Sequence, residues 1–113
     1  MDTMEKLDTL FKALADPTRR AILARLVEGE ATVDQLSEPF EMSQPSISRH
    51  LKVLENAGLI STRINGTSRP RQIEVQPFNA VRDWLEQYRG IWDANYARLD
   101  DVVADLMDQE EKE

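Results

Sequence analysis

The chain has 113 residues and a mass of 13.0 kDa, with 21 acidic residues against 14 basic ones, a net charge of −7 and no cysteine. That length suits one domain with a modest core and is short of what most enzymes use, while the missing thiols exclude disulfides, thiolate metal sites and cysteine nucleophiles. No apolar run is long enough for a signal peptide or a membrane span, so a cytoplasmic protein is expected.

In chain order, Met4, Leu7, Leu10, Phe11, Leu14 and Ala15 recur at helical spacing and predict an amphipathic first helix that stops at Asp16-Pro17. Asp16 is a suitable N-cap and Pro17 a suitable first residue, so a second helix follows at once, carrying Ala21, Ile22, Leu23 and Leu26 before Gly29 ends it. Thr32 caps a short helix through Val33 and Leu36, closed by Pro39. Ser43 caps the next, with Pro45 in its first turn and Gly58 able to take the left-handed conformation that stops it. At 100° per residue Ile47, Leu51 and Leu54 share one narrow sector, whereas Pro45, Ser48, Arg49 and Lys52 point roughly the other way. The first group packs and the second suits a DNA groove. Residues 32–57 thus read as two helices across a short turn, the helix-turn-helix arrangement whose second helix enters the major groove.

Beyond Gly58, Ile60, Thr62 and Ile64 alternate with Ser61 and Arg63, and Gln72-Ile73-Glu74-Val75 supplies an alternating partner, so residues 59–76 predict a hairpin. A two-residue turn at Asn65-Gly66 would pair Ile60 with Arg71 and leave Ile73 and Val75 without partners. A longer loop from Asn65 to Pro70 is therefore expected, with Thr62 facing Ile73, Ile60 facing Val75, and Arg63, Arg69 and Arg71 clustered near the tip as a basic wing. From Phe78 a single long helix is predicted, with Val81, Trp84, Leu85, Tyr88, Ile91, Trp92, Tyr96, Leu99, Val102, Val103 and Leu106 in one stripe and only Gly90 to interrupt it. A domain this small does not cover such a stripe alone, so part of it is expected to pack on a second copy. The tail 108–113 is too charged to pack and is expected to fray. The fold class expected is mainly α with a small β-hairpin: a winged helix-turn-helix of five helices and a two-stranded wing, as one domain over residues 1–107.

The acidic net charge gives way to a basic stretch on division. Between Ser43 and Ile73, Arg49, Lys52, Arg63, Arg69 and Arg71 oppose Glu55 alone, so this stretch is strongly positive within a chain of −7. A local basic face in an acidic body meets phosphate with marked salt dependence and little loose binding.

Two motifs carry a family resemblance. Ala13-Leu14-Ala15-Asp16-Pro17-Thr18-Arg19-Arg20-Ala21-Ile22-Leu23, followed by Ser43-Gln44-Pro45-Ser46-Ile47-Ser48-Arg49-His50-Leu51-Lys52-Val53-Leu54 and Ala57-Gly58-Leu59-Ile60, closely resembles the ArsR/SmtB family of bacterial winged-helix repressors over roughly residues 5–105. The resemblance implies a homodimer built from the first and last helices (residues 1–15 and 78–107), which sets two recognition helices on a two-fold symmetric operator in or near the protein's own promoter. Leu7, Leu10, Phe11, Trp84, Tyr88, Ile91, Trp92, Leu99 and Val102 are the dimerisation candidates. Gln44, Ser46, Ser48 and Arg49 match base or phosphate contacts in the family, and Lys52, Arg63, Arg69 and Arg71 match less closely, since the wing lacks the tyrosine common on its return strand and holds Pro70. Arginine grips guanine in bidentate fashion and glutamine reads adenine, whereas lysine and the wing suit phosphate, so Arg49 is the principal candidate. His50 is placed equally well for a phosphate or for packing against the domain.

Metal sensing, for which the family is known, is not expected. The segment Thr32-Val33-Asp34-Gln35-Leu36-Ser37-Glu38-Pro39-Phe40 lacks the cysteines that bind arsenic, cadmium or lead, and the last helix lacks the paired histidines that bind zinc or nickel. Asp93, Asp100, Asp101 and Asp105 then form a solvated face, and no metal or other cofactor is implied. The chain resembles the cysteine-free branch of the family, whose inducer is absent, organic or a protein. Ser46, Ser48 and His50 share one short helix without an acidic orienter or oxyanion donor, which excludes a catalytic triad. The competing reading is a winged-helix protein-interaction module that has lost DNA binding.

Overall fold

A computed structural model describes the backbone of residues 3–112 and the side chains of residues 5–95 and 98–109. The side chains of Met4 and Tyr96 of the expected stripes, and those of residues 110–113, lie outside the described set. The chain divides into two compact units, residues 1–81 and 82–113, with a helix running across the division.

The first unit opens with α1 (Thr3–Leu14) and α2 (Pro17–Val27), separated by the cap at Asp16, whose carboxylate accepts from the Arg19 N–H at 3.0 Å. The short helix α3 (Val33–Ser37) starts on a complete capping box, with Thr32 and Gln35 satisfying each other's backbone N–H groups. The longer α4 (Gln44–Asn56) starts on Ser43, whose hydroxyl accepts from the Ser46 N–H at 3.3 Å, and stops where Gly58 takes a φ of +78°. The starts of α2, α3 and α4 each follow from a short polar side chain that offers an oxygen to otherwise unpaired N–H groups.

The core lies where these helices converge. Leu10, Ile22, Leu26, Leu36, Ile47, Leu51, Leu54 and Leu59 are fully buried, with Ala31 and Ile60 closing the side toward the strands. Ile47, Leu51 and Leu54 are the sector expected to pack, and each such side chain contributes about 1.5–3 kcal/mol by leaving water. Ala21, expected on the apolar face of α2, is exposed.

The hairpin pairs β1 (Ile60–Thr62) with β2 (Arg71–Ile73) in antiparallel fashion, with Ile60 facing Ile73 and Thr62 facing Arg71. The expected register, Thr62 with Ile73 and Ile60 with Val75, is therefore off by two residues. One register runs from base to tip: the Glu74 N–H donates to Leu59, the Arg63 N–H to Pro70, and Asn65 and Ser68 exchange both bonds at 3.1 and 3.0 Å. The expected loop from Asn65 to Pro70 is thus a two-residue turn at Gly66-Thr67, with Gly66 in the first central position at a φ of +64°. A shift of two residues keeps every side chain on the same face, so apolar alternation does not distinguish the two pairings. Pro70 fits because only its carbonyl is needed opposite Arg63. On the other edge of β2, Ala31 exchanges backbone bonds with Arg71 at 3.0 and 2.7 Å, a pairing with no signal in the sequence.

The single long helix expected from Phe78 is two helices, α5 (Gln76–Glu86) and α6 (Arg89–Lys112), which makes six helices among the described residues where five were expected. They part at Gln87-Tyr88, where N–H groups reach back three residues instead of four: Gln87 to Trp84, Tyr88 to Leu85, and Ile91 to Tyr88. Gly90 lies just inside α6 and interrupts nothing. The helix α6 continues through Lys112. Within the second unit, Ile91, Trp92, Leu99, Val102, Val103 and Leu106 are exposed along α6.

Candidate nucleic-acid interface

Burial of Ile47, Leu51 and Leu54 forces the opposite side of α4 into solvent, and that side carries the candidate contacts. Gln44, Ser48, Arg49 and Lys52 are exposed and Ser46 is half-buried. A chain of bonds runs up this face. The Ser43 hydroxyl donates to the Ser46 hydroxyl at 3.0 Å, and Arg49 Nη2 donates to the same Ser46 oxygen at 3.2 Å. The spacing i, i+3 stacks these residues one turn apart, so the cap that starts the helix also orders the arginine expected to read a base. Gln44 donates its amide to the Asp34 carboxylate of α3. Reading adenine therefore requires Gln44 to exchange that partner for the base.

The wing differs from the expected basic cluster. Arg63 pairs with Glu30 at 2.6 Å, and Arg71 turns toward α4, where Nε meets Glu55 Oε1 at 3.2 Å while Nη1 donates to the Arg69 carbonyl. Arg71 is only 19% exposed, a strut between wing and recognition helix. Arg69 folds over the turn, with Nη1 donating to the Gly66 and Ser68 carbonyls at 2.8 and 2.9 Å. The local positive excess counted along the sequence is smaller in space, because Glu30 lies outside that stretch and still neutralises Arg63. Among the described residues, Arg49, Lys52 and Arg69 are the cations of this region without a carboxylate in salt-bridge range.

His50 is drawn toward the domain. Its Nδ1 lies 3.3 Å from Arg19 Nη1 and 3.8 Å from Asp16 Oδ2. The Asp16 carboxyl is held below the usual value of 3.8, chiefly by the hydrogen bond from the Arg19 backbone, against a desolvation penalty and with help from the His50 and Arg19 charges. Asp16 is legible as a cap, but its role beside His50 and that of Arg19 are not, because contacts across about thirty residues leave no local signal. Of the dimerisation candidates, Leu10 is corrected: it is fully buried in the chain's own core and is no surface residue. Leu7 and Trp84 are half-buried, and Phe11, Tyr88, Ile91, Trp92, Leu99 and Val102 are exposed. The Trp84 and Tyr88 rings lie 5.1 Å apart, tilted by 59°.

Helix-turn-helix and wing stand together on one small core, and comparison with known proteins agrees. Residues 16–62 match the sequence model for bacterial regulatory proteins of the arsR family. Over 105 residues the chain is 38% identical to the HTH-type transcriptional regulator Rv2034 of Mycobacterium tuberculosis, a match that spans 93% of this chain and 98% of that protein. The chain belongs to the ArsR family. Its fold is similar to the crystal structure of an ArsR family transcriptional regulator at a TM-score of 0.71 and 47% identity, over 79% of this chain and 92% of the other. It is also similar, at a TM-score of 0.59 and 25% identity over 85% and 83% of the two chains, to the homodimeric winged helix-turn-helix DNA-binding domain Mb0332 from Mycobacterium bovis, determined by solution NMR. As an ArsR-family member the protein is a transcriptional regulator with a winged helix-turn-helix, not an enzyme.

Proposed function

We propose that this ArsR-family regulator is a homodimeric repressor that binds a palindromic operator, in or near its own promoter, without responding to metal. The observation that carries the reading is the ordered Ser43–Ser46–Arg49 face of α4, exposed directly opposite the buried Ile47, Leu51 and Leu54. Arg49 is the base reader, Gln44, Ser46 and Ser48 accompany it, and Lys52 and Arg69 serve the backbone. Arg63 and Arg71 act mainly by holding the wing, through Glu30 and Glu55. A dimer buries the exposed apolar residues of α6 together with Phe11, and it presents the recognition helices to half-sites about one helical turn, roughly 34 Å, apart. Occupancy of a promoter by such a dimer excludes polymerase, which makes repression the simplest outcome. With no cysteine and a single histidine already engaged by Arg19, the chain offers no donor set for a soft or borderline metal, so any inducer is an organic molecule or a protein.

The test is binding of the purified protein to its own upstream DNA against scrambled DNA, at two salt concentrations and with zinc or chelator added. Saturable, selective binding that weakens with salt and ignores zinc is the expected result. A protein that selects no DNA, from its upstream region or from a random pool, is a docking module instead.

A further inference from the structure

His50 is the only histidine in the chain, and it follows Arg49 on the recognition helix. A guanidinium has donors and no acceptor, so a hydrogen bond across the 3.3 Å contact with Arg19 Nη1 has Nδ1 of His50 as the unprotonated, accepting nitrogen, and Asp16 Oδ2, 3.8 Å from the same Nδ1, lies beyond hydrogen-bond distance. The proton of the neutral ring is then on Nε2. Arg19 is not free to swing away. Its Nε donates to the Ala13 carbonyl at 2.6 Å and its Nη2 to the Lys12 carbonyl at 2.9 Å, both in the last turn of α1, while its backbone N–H is held by Asp16. One side chain thus ties the end of α1, the start of α2 and the middle of α4. No buried side-chain nitrogen or oxygen among the described residues lacks a partner, so Nε2 of the partly exposed His50 reaches solvent.

We propose that Arg19 is a positioning residue for DNA binding. By holding His50 Nδ1 as an acceptor it fixes the Nε2–H tautomer, and so presents one N–H donor to a backbone phosphate beside Arg49, with α4 anchored to the end of α1. About half to two-thirds of protein–DNA hydrogen bonds go to phosphate and sugar oxygens, and a lone N–H lacks the bidentate geometry of base reading, so phosphate is the partner. The inference rests on the DNA-binding reading above.

A protein labelled with 15N only at histidine gives one set of ring signals, and, recorded across a pH series, these report the tautomer directly. The wild type is expected to hold the Nε2–H form with a hydrogen-bonded Nδ1, and Arg19→Lys and Arg19→Gln to relax toward the mixture of a solvent-exposed ring. In operator binding, Arg19→Gln and His50→Ala are each expected to lose about fivefold, and the double variant no more than either alone, as befits one coupled pair. Arg20→Gln removes the same charge one position away, where the guanidinium bonds only the Leu14 carbonyl, and is expected to bind within about twofold of the wild type. A wild-type Nδ1–H tautomer, additive losses, or intact operator binding by a folded Arg19→Lys and Arg19→Gln would each overturn the proposal. A wild type that selects no operator removes the DNA-binding reading itself and the proposal with it, whereas a selective wild type with insensitive variants isolates the failure to Arg19.

Discussion

At the scale of single residues, the side chains of the recognition face divide by what already holds them. Arg49 is exposed and oriented by a single hydroxyl, so its guanidinium is available to a base. Arg49→Ala is expected to cost about 1–3 kcal/mol in operator binding and to relax selectivity, whereas Lys52→Ala weakens all sequences alike and lowers the salt slope by about one, both measurable by titration at several salt concentrations. Arg71 is a different case, since its partner Glu55 is on the recognition helix. Asp16 makes a pH prediction. Its folded-state pKa is depressed, so it contributes stability that is present above the ordinary value of 3.8 and is lost as pH falls through the folded value. The urea midpoint of the wild type should therefore fall more between about pH 5 and about pH 3 than that of Asp16→Asn; parallel falls would remove Asp16 from the acid response.

At the scale of elements, the capped starts of α2, α3 and α4 were legible and the pairing of the strands was not. Asp16, Thr32 and Ser43 cap as their chemistry dictates, because a cap is a contact within three residues. The hairpin register depends on which residues take the turn, and Asn65-Gly66 and Gly66-Thr67 are both acceptable locally. Gly66 decides it, with a positive φ and open space around its missing side chain. Gly66→Val meets no neighbour yet is strained by backbone conformation alone, and is expected to destabilise by about 1–2 kcal/mol and loosen the wing. Thermal unfolding reads the first effect and amide exchange at Arg63 and Ser68 the second. The break between α5 and α6 was likewise hidden, since no proline or capping residue marks Gln87-Tyr88.

At the scale of the whole molecule, charge and apolar surface govern association. The exposed apolar residues of α6, with the exposed carboxylates of Asp100, Asp101 and Asp105 between them, are the surface on which the proposed dimer rests. Sedimentation is expected to give a dimer, and Leu99→Glu with Val102→Glu to give a folded monomer with weak operator binding. Retention of the dimer in that double variant would place the interface elsewhere.

The sequence by itself determined the starts of α2, α3 and α4, the buried sector of α4 and the family, because each is written in contacts a few residues apart or in side-chain type at fixed spacing. The motifs that carry the family are local, and so is the apolar period that points Arg49 outward. Tertiary structure alone decided which arginines of the wing pair with carboxylates: Glu30 reaches Arg63 across 33 positions and Glu55 reaches Arg71 across 16. It also sent Leu10 inward, and it set His50 against Arg19 from 31 residues away. Periodicity tells which side of an element is apolar, but the neighbour that covers it, or the ion that pairs with a charge, is chosen only when distant segments pack.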